Sequence, residues 1–443
     1  MGVQPLEIKI SRADSLKGEI EVPGDKSISH RAVMLGALAE GITEIKGFLF
    51  GEDCLSTIRC FRRLGVKIEV INENHVKIYG EGLHGLSEPE DVLDAGNSGT
   101  TMRLLLGILS GQKFYSVLTG DASLRKRPMD RVIKPLQRMG AKIRARNKDS
   151  LAPISVLGND SSVLKPIEYE TPVASAQVKS ALLLAGLFCE GTTMVSEKVR
   201  TRDHTERMLK AFGADISMED GGKRILLKGL SKLKGAEVQI PGDISSASFF
   251  IAAGCLVPDS EVIISNVGIN FTRTGVLDVL SSMGADIELI NKRMLCGEPA
   301  ADIVVKYSPL RAVEISGEII PRVIDEIPIL AVAACRAHGT TLIRDAAELR
   351  IKETDRIGIM AAELRKMGAK IKEMDDGMII EGPVDLKGAR VNSHGDHRIA
   401  MALAVAGLVA KGETIIEDAQ CAAVSFPNFY EILRELTGTA GGK

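Results

Sequence analysis

One phrase returns five times along this 443-residue chain and limits its fold more than any other feature. It reads apolar, Gly, small, charged, Ile, as Leu64-Gly65-Val66-Lys67-Ile68, Met139-Gly140-Ala141-Lys142-Ile143, Phe212-Gly213-Ala214-Asp215-Ile216, Met283-Gly284-Ala285-Asp286-Ile287 and Met367-Gly368-Ala369-Lys370-Ile371. Subtracting positions, the glycines lie 75, 73, 71 and 84 residues apart. Each copy reads as a helix C-terminus, with Gly supplying the left-handed conformation, followed by an alternating strand such as Lys67 to Ile71. A second phrase recurs in phase at helix starts: Pro23-Gly24-Asp25-Lys26-Ser27, Asp94-Ala95-Gly96-Asn97-Ser98, Thr171-Pro172-Val173-Ala174-Ser175 and Pro241-Gly242-Asp243-Ile244-Ser245, with looser copies at Ile320 to Glu326 and Ser393 to His397. An ordinary capped loop accounts for any one copy, but not for six in register. The period exceeds the roughly 20 to 50 residues of solenoids, so each unit is a small α/β module. Six modules divide naturally into three per domain.

Composition agrees with two soluble domains. A single core stops growing beyond roughly 250 to 300 residues, and 45% hydrophobic with 26% charged residues suits neither a disordered nor a membrane class. Glu7, Lys9, Arg12, Asp14 and Lys17 interrupt the start of the chain, and no long uncharged apolar run follows, so a cytoplasmic protein with no membrane association is expected. Seven cysteines without a C-x-x-C pair read as reduced and mostly buried thiols. A net charge of -2 predicts no nucleic-acid partner, and 4% aromatics with no Trp offers no stacking platform. The expected ligand is small and polar. No heptad points to assembly, so a monomer is expected.

Six similar turns imply several helix N-termini facing a common space, where unsatisfied N–H groups and the positive end of the helix dipole favour anions. Lys26, Arg31, Arg103, Arg127, Arg202, Lys352, Arg356 and Arg398 sit beside those turns. A guanidinium grips carboxylate or phosphate through two parallel hydrogen bonds. Singly, each basic residue reads more simply as surface charge; the constellation reads as an anion site. The spacing of Lys352 and Arg356 predicts one helical face, with Glu353 adjacent.

Taken together, Pro23 to Arg31, Gly96 to Arg103, Lys126-Arg127-Pro128-Met129, Ser175-Ala176-Gln177, Lys352 to Arg356 and Asp396-His397-Arg398 resemble the 5-enolpyruvylshikimate-3-phosphate synthase family along the whole chain. The resemblance implies an α/β (α+β) fold of two similar domains, each of three βαβαββ repeats in an inside-out α/β barrel. One domain is expected at 26–240, carrying most acceptor contacts. The other is discontinuous, 1–25 with 241–443, carrying most donor-side and proton-transfer residues, and the two are expected to close on substrate. The implied reaction moves the enolpyruvyl group of phosphoenolpyruvate to the 5-hydroxyl of shikimate-3-phosphate through a tetrahedral intermediate, with no metal or organic cofactor. Residue by residue, the resemblance gives shikimate-3-phosphate to Lys26, Ser27, Arg31, Ser175, Ala176, Gln177, Arg202, Asp325 and Lys352. Phosphoenolpyruvate goes to Lys26, Asn97, Gly99, Arg127, Gln177, Lys352, Arg356 and Arg398. Lys26, Asp325 and Glu353 are the implied proton-transfer set, with Glu353 and Lys26 both open as donor to the methylene carbon. The Ile-rich stretch Ile324 to Leu330 is expected to bury Asp325 in apolar surroundings, which raise a carboxyl pKa.

Two positions depart from the pattern. Val424 stands where many members carry lysine, and Arg202 typifies one branch. Gly99, where tolerant members have alanine, predicts inhibition by glyphosate. Two rival readings remain at this level. The sister transferase acting on UDP-N-acetylglucosamine carries Asn after its first lysine and a loop Cys; here Ser27 follows Lys26, and Gly120 to Pro128 lacks Cys. A non-catalytic anion- or RNA-end-binding protein on related modules would use His397, whose simpler role is at the helix start.

Overall fold

A computed structural model describes residues 6–158 and 164–438. The chain divides into two compact units: Gly24–Ile240 with Met294–Glu298, and a discontinuous unit formed by the chain to Pro23, Pro241–Arg293 and the chain from Pro299 onward. Each has its own hydrophobic core.

Among the described residues, each unit contains three small sheets with one recurring plan. In Leu93–Asp94, Ser116–Thr119, Leu151–Leu157 and Lys142–Ala145 the first pair is parallel and the others antiparallel. Parallel neighbours need a crossover, which helix Gly99–Ser110 supplies; antiparallel ones need only a turn. The sheets led by Glu168–Thr171 and by Glu314–Ile315 repeat the plan. Two others borrow their first strand from far away. Glu237–Gln239 lies parallel to Glu40–Lys46, and Lys17–Glu21 parallel to Glu261–Gly268. The sixth sheet has three strands, with Ile8–Ser11 antiparallel to Glu413–Glu417.

The crossover helices form the interior. Every residue of Ile244–Leu256 and of His397–Leu408 is buried, and Lys26–Leu38, Gly99–Ser110, Ala176–Gly186 and Ile327–Arg336 are nearly as enclosed. A helix apolar on all faces belongs inside, so helices pack centrally and sheets lie outside them. The second helix of each module is one-sided, and the recurring glycine follows it. Gly65, Gly140, Gly213, Gly284 and Gly368 have φ between 88° and 98°, a region closed to most side chains. A sixth counterpart, Gly438 at φ 66°, ends Phe429–Leu436 and was not recognised from the sequence. That helix is pinned by Phe429, whose ring lies 5.4 Å from Phe250 and 5.6 Å from Phe426. All seven cysteines are unbridged thiols, five of them buried. Among the described residues, no helix is long and apolar enough to cross a membrane.

Candidate active site

The second recurring phrase is the set of caps on the central helices. Asp25 accepts from the Ile28 amide at 2.9 Å, Ser98 from Thr101 at 3.1 Å and Asp396 from Arg398 at 2.9 Å. Ser175 and Asp243 cap two more helices. Glu326, at the corresponding start of Ile327–Arg336, makes no side-chain cap bond and turns its carboxylate elsewhere.

In the 24–240 unit, the first turns of three central helices and the loops after them carry the expected residues. Lys26, Ser27 and Arg31 open Lys26–Leu38; Asn97 and Gly99 flank the start of Gly99–Ser110; Ser175, Ala176 and Gln177 open Ala176–Gly186. Arg31 is 4% exposed, and its three hydrogen bonds go to neutral oxygens: Thr205 Oγ1 at 2.6 Å, Ser180 Oγ at 2.8 Å and the Ser27 carbonyl at 2.9 Å. Burial, only partly offset by Glu206 and Asp25, pushes its pKa down to about 10, and the nearby Arg202 acts in the same direction. A buried cation beside a like charge is an incomplete arrangement that an anion completes. Arg127 donates to Asn97 Oδ1 at 2.6 Å, and Asn97 donates to Asp121 at 2.6 Å. Lys26 meets Asp53 at 3.1 Å.

Arg103, a candidate from its place beside the turns but absent from the family-derived contacts, is the hub here. It is 6% exposed, and its Nη1 donates to Gln177 Oε1 at 2.5 Å while Gln177 donates to Thr100 at 3.0 Å. Behind Arg31 lies a group that sequence reasoning missed. Fully buried Lys179 sits 2.8 Å from Glu197 and 2.7 Å from Glu206. Burial raises the Glu206 pKa, whereas for Lys179 burial is outweighed by the two carboxylates, which hold it above its ordinary value. No spacing rule connects positions 179, 197 and 206.

In the discontinuous unit, Arg356 is the centre. It is 2% exposed and meets Asp396 at 2.8 Å, Glu353 at 2.7 Å and Asp325 at 3.3 Å. Burial disfavours its charge, but Asp396, Glu353 and Asp325 outweigh that and hold its pKa above the ordinary range. Burial likewise opposes the Asp396 carboxylate, and Arg356 and His397 overcome it, so its pKa is lowered. Lys352 and Arg398 stand 3.9 and 3.8 Å from Asp325.

Two expectations are corrected. Lys352 and Arg356 do not share a helical face: Asp355 caps the helix at Arg356, accepting from the Gly358 amide at 3.1 Å, and Lys352 and Glu353 precede it in the turn. The two cations nevertheless converge on Asp325. That carboxylate is ringed by three cations instead of by the isoleucines around it in sequence, because those point into the core. Val424 ends the short helix Ala419–Val424, which packs along His397–Leu408.

Paired carboxylates beside several largely buried cations can move protons while binding a multiply charged anion. The comparisons agree with that chemistry. A family model described as EPSP synthase (3-phosphoshikimate 1-carboxyvinyltransferase) matches residues 10–433. The 3-phosphoshikimate 1-carboxyvinyltransferase of Desulforamulus reducens is 57% identical over 431 residues, 97% of this chain and 99% of the relative. That of Gloeothece citriformis is 58% identical over 424 residues, 95% and 94% of the two chains. The EPSP synthase structure from Acinetobacter baumannii superimposes with a TM-score of 0.87 at 48% identity, covering 97% of this chain and 98% of the other. An enolpyruvyl transferase structure from Streptomyces tendae, 20% identical with a TM-score of 0.78 over 98% and 97% of the two chains, shares the fold.

Proposed function

Because the chain belongs to the EPSP synthase (3-phosphoshikimate 1-carboxyvinyltransferase) family, we propose that it joins phosphoenolpyruvate to shikimate-3-phosphate with the two residue clusters just described. Ser27, Arg31, Ser175, Ala176, Gln177 and Arg202 hold the acceptor, joined by Lys26, Asp325 and Lys352. Lys26, Asn97, Gly99, Arg127, Gln177, Lys352, Arg356 and Arg398 hold the donor. The enzyme acts as a cytoplasmic monomer.

Asp325 takes the proton of the acceptor 5-hydroxyl as that oxygen bonds to the central carbon of phosphoenolpyruvate. The methylene carbon gains a proton from Glu353 or Lys26 and becomes a methyl group, giving a tetrahedral intermediate. That methyl then loses a proton, the C–O bond to phosphate breaks, and the enolpyruvyl ether and inorganic phosphate remain. The surrounding cations stabilise the departing phosphate and the carboxylate. One observation carries the assignment of roles: Asp325 and Glu353 both contact the Arg356 guanidinium, at 3.3 and 2.7 Å. Two carboxylates sharing one buried cation are oriented at one place.

The decisive assay offers shikimate-3-phosphate and UDP-N-acetylglucosamine separately with phosphoenolpyruvate and identifies the product by mass. Only the first should give an enolpyruvyl ether; transfer to the sugar nucleotide would overturn the acceptor assignment.

A further inference from the structure

Four modules carry an arginine at the entrance to their second helix: Arg127, Arg202, Arg273 and Arg356. Three belong to the proposed substrate contacts. Arg273 is 2% exposed and turned inward, donating to Asp243 Oδ1 at 2.9 Å and to Ser245 Oγ at 2.6 Å. Ser245, itself 2% exposed, uses its one hydroxyl proton to donate to Glu326 Oε1. Glu326 is wholly buried, and its Oε1 lies 3.7 Å from Arg398 Nη1, which also donates to the Asp325 carbonyl at 3.1 Å.

The chain Arg273, Ser245, Glu326, Arg398 thus runs from a module with no assigned substrate contact to two residues of the proposed site. Each link fixes the next. Arg273 donates to the serine oxygen and cannot accept from it, so the hydroxyl proton points at Glu326; the glutamate is then anchored with its charge toward Arg398. A carboxylate removed wholly from water persists only with such partners. Glu326 also immediately follows Asp325, so anchoring it fixes the peptide carrying the proposed base. Its lack of a capping bond is consistent with this use, since its side chain is committed to the network.

We infer that Glu326, oriented by Ser245 and Arg273, is a positioning residue for the phosphoenolpyruvate-binding Arg398. The inference rests on the reading of Arg398 given above. The test is a double-mutant cycle of Glu326→Gln and Arg398→Lys, with KM for each substrate and kcat measured on proteins whose folding is checked by circular dichroism. Gln keeps an acceptor for Ser245 and the shape, and removes the charge while exchanging one carboxylate oxygen for an NH2 group. Contacting residues commonly couple strongly enough for about a tenfold effect, so Glu326→Gln should raise KM for phosphoenolpyruvate about tenfold. KM for shikimate-3-phosphate should stay within about twofold. In the Arg398→Lys background the same change should have little further effect. An equal effect in both backgrounds, or parallel rises in both KM values, overturns the inference, as does an unchanged KM. Ser245→Ala supplies a second arm should Glu326→Gln fold poorly, with the same selective rise expected and a parallel rise in both KM values counting against. Wild-type protein that releases no phosphate from the two substrates would instead refute the functional reading itself.

Discussion

Gly99→Ala probes a crowded point of the 24–240 cluster. A Cβ built there lies 2.9 Å from Arg103 Nη1 and 3.6 Å from Arg127 Nη1. An ordinary contact needs roughly 3.5 Å, so the Arg103 guanidinium must retreat by about half an ångström. It has little freedom to do so, being buried and bonded to Gln177 at 2.5 Å. Loosening one charge-assisted hydrogen bond costs about 1.5 kcal/mol at the low end, which is about tenfold in KM. We expect KM for phosphoenolpyruvate to rise about tenfold, with kcat within about threefold, because the methyl disturbs binding in ground and transition states alike. Glyphosate, which is expected to inhibit the wild type, is longer than phosphoenolpyruvate and should lose more affinity than the substrate does. Steady-state phosphate release at saturating shikimate-3-phosphate, with and without glyphosate, reads both quantities. Values of KM and inhibition constant within twofold of wild type would show that Arg103 yields without consequence, and the steric reasoning would fail.

Asp325→Ala should reduce turnover by about a hundredfold or more, as expected for losing a general base, with unchanged circular dichroism; near-normal activity would remove Asp325 from that role. His30 is fully buried against Thr57 at 2.7 Å, and burial lowers its pKa to about 3 from 6.5. Its stabilising contribution is therefore complete above pH 6.5 and lost as pH falls toward 3, a loss of about 3 kcal/mol by pH 4.5. Urea unfolding followed by circular dichroism should show a shallower acid loss for His30→Asn, and parallel curves would contradict the prediction. Phe429→Ala, which empties the ring cluster with Phe250 and Phe426, should cost about 3 to 5 kcal/mol, read as a lowered midpoint in the same experiment.

The repeat was legible because each module needs a left-handed residue after its second helix and a capped start for its first, and few residue types serve either purpose. Gly438 escaped because its flanks lack the charged-Ile ending. The candidate site was legible only in part. Motifs near one turn, such as Lys26 to Arg31, stay together in the fold. Arg103 with Gln177, or Lys179 with Glu197 and Glu206, meet across helices and sheets, and single-sequence spacing carries no trace of such pairs. The four-residue arithmetic for Lys352 and Arg356 misled because it could not see that Asp355 starts the helix. Apolar neighbours misplaced Asp325 for a related reason: neighbours in sequence point to opposite sides of a turn.

Phosphate release measured with both substrates, with each alone and with neither tests the central claim most directly. Release that requires phosphoenolpyruvate and shikimate-3-phosphate together, and that collapses in Arg356→Ala, is the predicted result. Release from phosphoenolpyruvate alone, or undiminished release by Arg356→Ala, would contradict it.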